Sequence, residues 1–232
     1  MLELGGSDAF IVLDDADVPA AAAAAVKARY RNAGQSCVCS KRFIVAASAA
    51  KEFTDLFVKG ARALVVGDPT DVGTDVGPLA RADLRDALQR QVDASVAGGA
   101  QLLAGGRPAD GEGFLYEPTV LSVSGPGVPV FDEETFGPVA AIALADTDIT
   151  SVRLANATPF GLSLSLWTFN VERGVELARQ ITTGAVFINA TTASDARMPF
   201  GGTKKSGYGR ELAAAGIREF TNIRTYWTVS AR

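Results

Sequence analysis

Apolar positions along the chain alternate between two rhythms. Contiguous apolar and β-branched runs at Ala9 to Leu13, Arg42 to Ala46, Thr119 to Val123, Val139 to Leu144, Leu162 to Thr168 and Ala185 to Ile188 have the length and composition of buried strands. Between them lie segments with helical periodicity, predicted over Val18 to Ala33, Ser48 to Leu64, Ala80 to Ala97, Ile149 to Asn156 and Val171 to Thr182. Pro19 falls in a first helical turn, where its missing N–H costs little, and Ser48 stands where an N-cap belongs. Phe53, Leu56 and Phe57 share one face of the second helix, Gly67-Asp68-Pro69 breaks the pattern, and Gly98-Gly99 closes the third helix. A short strand at Gln101 to Leu103 precedes a Gly/Pro/Asp-rich loop running to about Gly113. Strands apolar on both faces, alternating with helices, predict an α/β fold: a mainly parallel sheet flanked by helices. The tail, Asn222 to Ser230, alternates Ile223, Thr225, Trp227 and Val229 on one side, which predicts an edge or oligomerisation strand.

Composition narrows the function by exclusion. The chain has 232 residues, 47% hydrophobic and 21% charged, enough for one large domain with appendages. A net charge of −4, with Lys and Arg scattered, supplies no basic field for nucleic acid or an anionic membrane surface. No apolar run reaches the roughly 18 residues of a membrane span. The start, Met1-Leu2-Glu3-Leu4, lacks a basic region followed by an apolar stretch, so a cytoplasmic location is expected. With two cysteines and no histidine, zinc has too few of its usual ligands and no metal site is expected. Acid and base chemistry falls to Glu, Asp, Lys, Tyr or Cys.

Arg31-Asn32-Ala33-Gly34-Gln35-Ser36-Cys37 places a thiol just after a helix end and a glycine turn, where a side chain can project into a cleft. By itself a cysteine there is either a nucleophile or a small buried hydrophobe. Three further strings accompany it: Glu3-Leu4-Gly5-Gly6, Glu133-Glu134-Thr135-Phe136-Gly137-Pro138, and Pro199-Phe200-Gly201-Gly202 followed by Lys204, Ser206-Gly207 and Gly209-Arg210-Glu211. In this order and spacing the chain resembles the carboxy-terminal, catalytic half of the aldehyde dehydrogenase superfamily, from Glu3 onward. The resemblance implies a catalytic domain over 1–205, a segment over 206–221 returning toward a cofactor domain, and an oligomerisation strand and tail over 222–232. It assigns Cys37 as nucleophile and Glu3 as the base that activates water, with Leu4, Glu134 and Phe136 on the NAD or NADP cofactor.

The chemistry suits those residue types. A thiolate adds to an aldehyde carbonyl, the oxyanion needs donors such as the Cys37 backbone N–H, and loss of hydride to a nicotinamide leaves a thioester. A carboxylate of raised pKa in a dry pocket then draws a proton from the attacking water. Arg31, six positions before Cys37, offers a guanidinium fork for a substrate's distal carboxylate, as in members resembling succinate-semialdehyde dehydrogenases; Ser194 and Arg197 are candidates to complete that anion site. Arg31 also reads as a cation complementing a helix C-terminus, and a general aliphatic or aromatic aldehyde is the alternative substrate. Cys37-Val38-Cys39 is similar to semialdehyde dehydrogenases in which the second cysteine oxidises with the first; quiet packing is the other reading of Cys39. In this family the dinucleotide-binding domain precedes the glutamate motif, which here begins at residue 3. The expected partners are therefore a small-molecule aldehyde and either further copies of the chain or a missing amino-terminal half. A non-catalytic remnant that only folds or oligomerises is the competing reading, and the chain alone is expected to lack NAD(P)-dependent activity.

Overall fold

A computed structural model describes residues 1–231. In chain order the elements are β1 (Leu2–Glu3), β2 (Asp8–Val12), α1 (Val18–Tyr30), β3 (Ser40–Ala46), α2 (Ala47–Ala63), α3 (Ala82–Ala97), β4 (Gln101–Ala104), β5 (Thr119–Val123), α4 (Pro129–Asp132) and β6 (Val139–Ala145). They continue with α5 (Asp148–Asn156), β7 (Phe160–Gly161), β8 (Ser163–Trp167), α6 (Val171–Ala178), β9 (Ala185–Ile188), β10 (Thr203–Lys204), β11 (Gly207–Tyr208) and α7 (Ala213–Glu219). Seven strands form one sheet in the order β4-β5-β6-β3-β2-β8-β9, all parallel except the β4–β5 edge pair. The α/β reading of the sequence therefore holds. Crossovers run one way from β2 to β3 and the other way from β6 to β8 and β9. The right-handed rule for parallel connections then puts α1 and α2 on one face and α5 and α6 on the other, and the packing of α1 on α2 and of α5 on α6 agrees.

Burial on both faces explains why the central strands are apolar throughout: every residue of β2 is buried, as are six of the seven in β3. Phe10 and Phe43 from the sheet meet Phe53 and Phe57 from α2, with ring centroids 4.8–6.5 Å apart, and Trp167 stacks on Phe10 at 5.8 Å. Alanines Ala21, Ala22 and Ala25 let α1 lie close to its neighbours. At the closest approach a side chain on Gly60 of α2 would meet Val26 at 2.8 Å.

Some expectations need correction. Helix α1 ends at Tyr30, not Ala33, because Asn32, Ala33 and Gly34 are all left-handed (φ 53°, 53° and 71°) and turn the chain toward the cysteine. Ser48 does not cap α2; that helix starts at Ala47 behind Ala46, with no side-chain cap. Helix α6 stops at Ala178, four residues short of the predicted end. The tail Asn222 to Ser230 forms no edge strand within this chain. A strand needs a partner edge for its backbone groups, and the tail pairs with none among the described residues; Ile223, Trp227 and Val229 stay 80–94% exposed.

Candidate active site

The left-handed turn at 32–34 delivers the thiol. Arg29, fully buried, donates to the carbonyls of Ser40 (3.2 Å), Thr135 (3.1 Å) and Gly137, tying the end of α1 to the head of β3 and to the Glu133–Pro138 loop. A side chain on Gly34 would run into the Gly137 carbonyl, so the close approach of these two loops requires glycine there. Cys37 follows, half-buried and free. Its thiol is held above the ordinary range, first by burial and then by the nearby Glu3 and Asp8 carboxyls, while Lys41 and the Val38 N–H pull it back down. The Cys37 backbone N–H donates to no protein acceptor among the described residues. Cys39 lies two residues on but points elsewhere: it is fully buried and its thiol donates to the Arg31 carbonyl at 3.6 Å.

Lys41 sits beneath this loop with no exposed side-chain surface. Its ammonium donates to the carbonyls of Ser36 (3.2 Å), Cys37 (3.1 Å) and Cys39 (3.1 Å) and lies 3.6 Å from Glu134 Oε1. Burial lowers its pKa, with Arg29 adding to the effect and Asp8, Glu134 and Cys39 opposing it. Glu134 Oε1 also accepts the Gly6 N–H at 2.9 Å, and Oε2 lies where a side chain on Gly5 would collide with it. The glutamate string and the Glu134 string, 128 residues apart, thus share one hydrogen bond.

Glu3 is positioned from the other end of the chain. Strand β1 pairs antiparallel with β11, setting Glu3 opposite Gly207, and the Leu4 N–H donates to the Ser206 carbonyl at 3.0 Å. A side chain on Gly207 would strike the Leu2 carbonyl, which explains a glycine in that string. The Glu3 carboxyl is half-buried, and its Oε1 is buried without a hydrogen-bond partner. Its pKa is raised, first by burial and then by Glu211, against the lowering influence of Arg210. Leu4 and Phe136 keep 49% and 39% of their surface exposed, unusual for large apolar side chains beside buried polar ones.

The residues expected to bind an anion are less assembled. Arg31 caps α1 with its backbone and leaves its side chain exposed, with no salt bridge among the described residues. Ser194 is exposed. Arg197 is not free: it forms a bidentate pair with Asp195 at 2.9 and 2.6 Å, since two residues of opposite charge in one exposed turn meet more readily than either meets a distant partner.

Sequence reasoning missed Lys41, Asp8, Ser163 and Thr192. Asp8 is buried and accepts from the Ser163 N–H at 2.9 Å and from the Ser163 hydroxyl, which lies 2.5 Å from the Thr192 hydroxyl. The available signal was charge at the head of apolar strands: Asp8 before Ala9 to Leu13, and Lys41-Arg42 before Phe43 to Ala46. Arg42 is a structural peg, donating to the carbonyls of Ser7, Leu154 and Ala155 at 2.8–3.0 Å.

Residues 1–226 match the model of the aldehyde dehydrogenase family. Over 227 residues, 98% of this chain and 49% of the relative, the sequence is 50% identical to the Escherichia coli succinate semialdehyde dehydrogenase [NAD(P)+] Sad. The solved structure of Gox0499, reported for its cofactor and substrate selection, superposes with a TM-score of 0.92 at 41% identity, covering 97% of this chain and 50% of that one. Betaine aldehyde dehydrogenase from Staphylococcus aureus in complex with NAD+ superposes at 0.91 and 31% identity, covering 94% and 44%. The chain spans about half the length of the curated relatives it matches.

Proposed function

Because this chain belongs to the aldehyde dehydrogenase family, we propose that it is the catalytic portion of an NAD(P)-dependent enzyme that oxidises succinate semialdehyde to the acid through a thioester on Cys37. The observation that carries this reading is the half-buried Cys37 thiol with an uncommitted backbone N–H, within electrostatic reach of Glu3. Its thiolate adds to the aldehyde carbon, and the Cys37 N–H donates to the oxyanion. The nicotinamide, when bound, supplies the acceptor for the hydride that leaves that carbon. Glu3 takes a proton from the water that attacks the resulting thioester; its raised pKa makes it a better base than a surface carboxylate, and its unpartnered Oε1 is free to accept.

The residues present suit a nicotinamide cofactor. Glu134 is oriented by the Gly6 N–H and has a second oxygen to accept from a ribose hydroxyl, while the exposed Leu4 and Phe136 side chains provide apolar surface for a flat ring. The names of the relatives, NAD(P)+ for Sad and NADP(+) for the Synechocystis one, support either dinucleotide. For the substrate, the unpaired Arg31 guanidinium carries the reading, with Ser194 beside it in the assignment; Arg197 joins only by leaving Asp195. Residues 1–205 are read as the catalytic domain, 206–221 as a segment returning toward a cofactor domain, and 222–232 as an oligomerisation strand completed by another chain. The bare Ile223, Tyr226, Trp227 and Val229 favour that last assignment, and they equally favour a second reading in which the chain serves only as an oligomerising domain. The 232-residue polypeptide alone offers a dinucleotide one carboxylate and two apolar side chains, so it is expected to hydrolyse activated esters slowly without NAD(P)-linked turnover.

Limiting iodoacetamide with mass mapping tests the assignment. Cys37 is expected to be labelled before Cys39; labelling of Cys39 first overturns the mechanism, and failure of either thiol to react leaves only the oligomerising domain.

A further inference from the structure

We propose that Lys41 is a positioning residue for the thiol step: its buried ammonium aims the Cys37 backbone N–H at the oxyanion and stabilises the Cys37 thiolate. This rests on the reading of Cys37 as nucleophile. An ammonium has three N–H donors and no acceptor, and all three are used on one four-residue loop, at the carbonyls of Ser36, Cys37 and Cys39. The peptide unit is planar and trans, so its C=O and N–H point in opposite directions. Drawing the Ser36 carbonyl down onto Lys41 therefore sends the Cys37 N–H up, and drawing the Cys37 carbonyl down sends the Val38 N–H the same way. The outcome agrees: the Val38 N–H acts on the Cys37 thiol and favours its thiolate, and the Cys37 N–H is left without a protein acceptor among the described residues. One side chain thus sorts the loop into a carbonyl side facing the ammonium and a donor side facing the thiol.

The charge acts as well as the hydrogen bonds. Lys41 is the cation that favours the Cys37 thiolate, against burial, Glu3 and Asp8. The groups facing the ammonium are the Asp8 and Glu134 carboxyls, the Cys39 thiol and the Arg29 guanidinium. The 3.6 Å approach to Glu134 Oε1 also places it between the thiol loop and the carboxylate assigned to the cofactor ribose. A purely structural cation already exists at the next position, Arg42, whose four hydrogen bonds go to Ser7, Leu154 and Ala155 and none to the thiol loop.

The test uses the 232-residue chain and the variants Lys41→Gln, Lys41→Met and Lys41→Arg. Two reactions of Cys37 are compared: alkylation by iodoacetamide, which builds no oxyanion on the substrate, and acylation by p-nitrophenyl acetate, which does. In Lys41→Gln and Lys41→Met the pH midpoint for alkylation is expected to rise, and acylation is expected to fall about tenfold or more beyond the loss in alkylation. Lys41→Arg, which keeps the charge, is expected to return the midpoint toward that of the wild type. Unchanged midpoints, or equal losses in both reactions, overturn the proposal by making Lys41 a structural residue. Should no variant fold, the wild-type chain still decides: its acylation-to-alkylation ratio is expected to exceed that of N-acetylcysteine at least about tenfold, and an equal ratio overturns the proposal. A wild-type chain whose Cys37 does not react at all refutes the reading of Cys37 itself, a separate failure.

Discussion

Replacing Asp8 with asparagine removes one buried carboxyl whose protonation is coupled to folding, while keeping an oxygen to accept the Ser163 N–H. Asp8 is pushed from 3.8 to about 6, first by burial, with Lys41, Ser163 and Arg42 restraining the rise. A carboxyl whose pKa is higher in the folded chain takes up a proton on folding. Its stabilising contribution is complete below about pH 3.8, where both states are protonated, and is lost as the pH climbs through 6. The gap between 3.8 and about 6, at 1.36 kcal/mol per pH unit, comes to about 3 kcal/mol in all. At pH 5 about 1.4 kcal/mol of it survives, and at pH 8 almost none. Urea unfolding followed by tryptophan fluorescence at pH 5 and pH 8 measures this, because Trp167 stacks on the core residue Phe10. Between those pH values the wild type should lose about 1.4 kcal/mol more than Asp8→Asn. Other acids, Glu3 among them, titrate in both proteins and cancel in the difference. Identical pH dependence in the two proteins would refute the reasoning and mean that Asp8 is solvated or firmly ionised by Lys41.

Glu3→Gln should keep the initial burst of p-nitrophenolate from p-nitrophenyl acetate but slow the steady-state release about a hundredfold or more, the ordinary worth of a general base; an unchanged steady state would move the base elsewhere. In a hybrid joining this chain to the amino-terminal half of the E. coli relative, Arg31→Ala should raise KM for succinate semialdehyde about tenfold to hundredfold while sparing hexanal. Equal losses on both substrates would make Arg31 a helix-end cation. Arg29→Met leaves the carbonyls of Ser40, Thr135 and Gly137 without their buried donor, and a loss of at least about 3 kcal/mol in thermal or urea unfolding is expected at about 1–3 kcal/mol per group. Mild peroxide should yield a dithiothreitol-reversible species about two mass units lighter that Cys39→Ser abolishes. Direct conversion to sulfinic acid would show that Cys39 never leaves the Arg31 carbonyl.

The alternation of apolar runs with helical segments was enough to read the α/β class and place most strands within a residue or two, because a parallel sheet covered on both faces leaves an unmistakable apolar pattern in each strand. The four strings around Glu3, Cys37, Glu134 and Pro199 to Glu211 were likewise legible, since glycines beside chemically capable residues mark close backbone approaches. Gly34 against Gly137 and Gly207 against Leu2 are such approaches. The end of α1 was not read correctly: Asn32 and Gly34 are types that accept the left-handed region, but Ala33 carries no local signal for it, and that conformation is held by Arg29 reaching Thr135 and Gly137, more than a hundred residues away. The same holds for the side chains that organise the thiol. Lys41 and Asp8 look like ordinary charged residues at strand ends, and only the tertiary structure brings Ser36, Cys37, Cys39 and Glu134 around one ammonium, and Ser163 and Thr192 around one carboxyl. Burying a charge is costly unless partners converge on it. Glu134, Ser163 and Thr192 come from elements distant in the chain, and the carbonyls of Ser36, Cys37 and Cys39 converge on Lys41 only because the loop folds over it, which is why the types of chemical group could be read from the sequence and their arrangement could not.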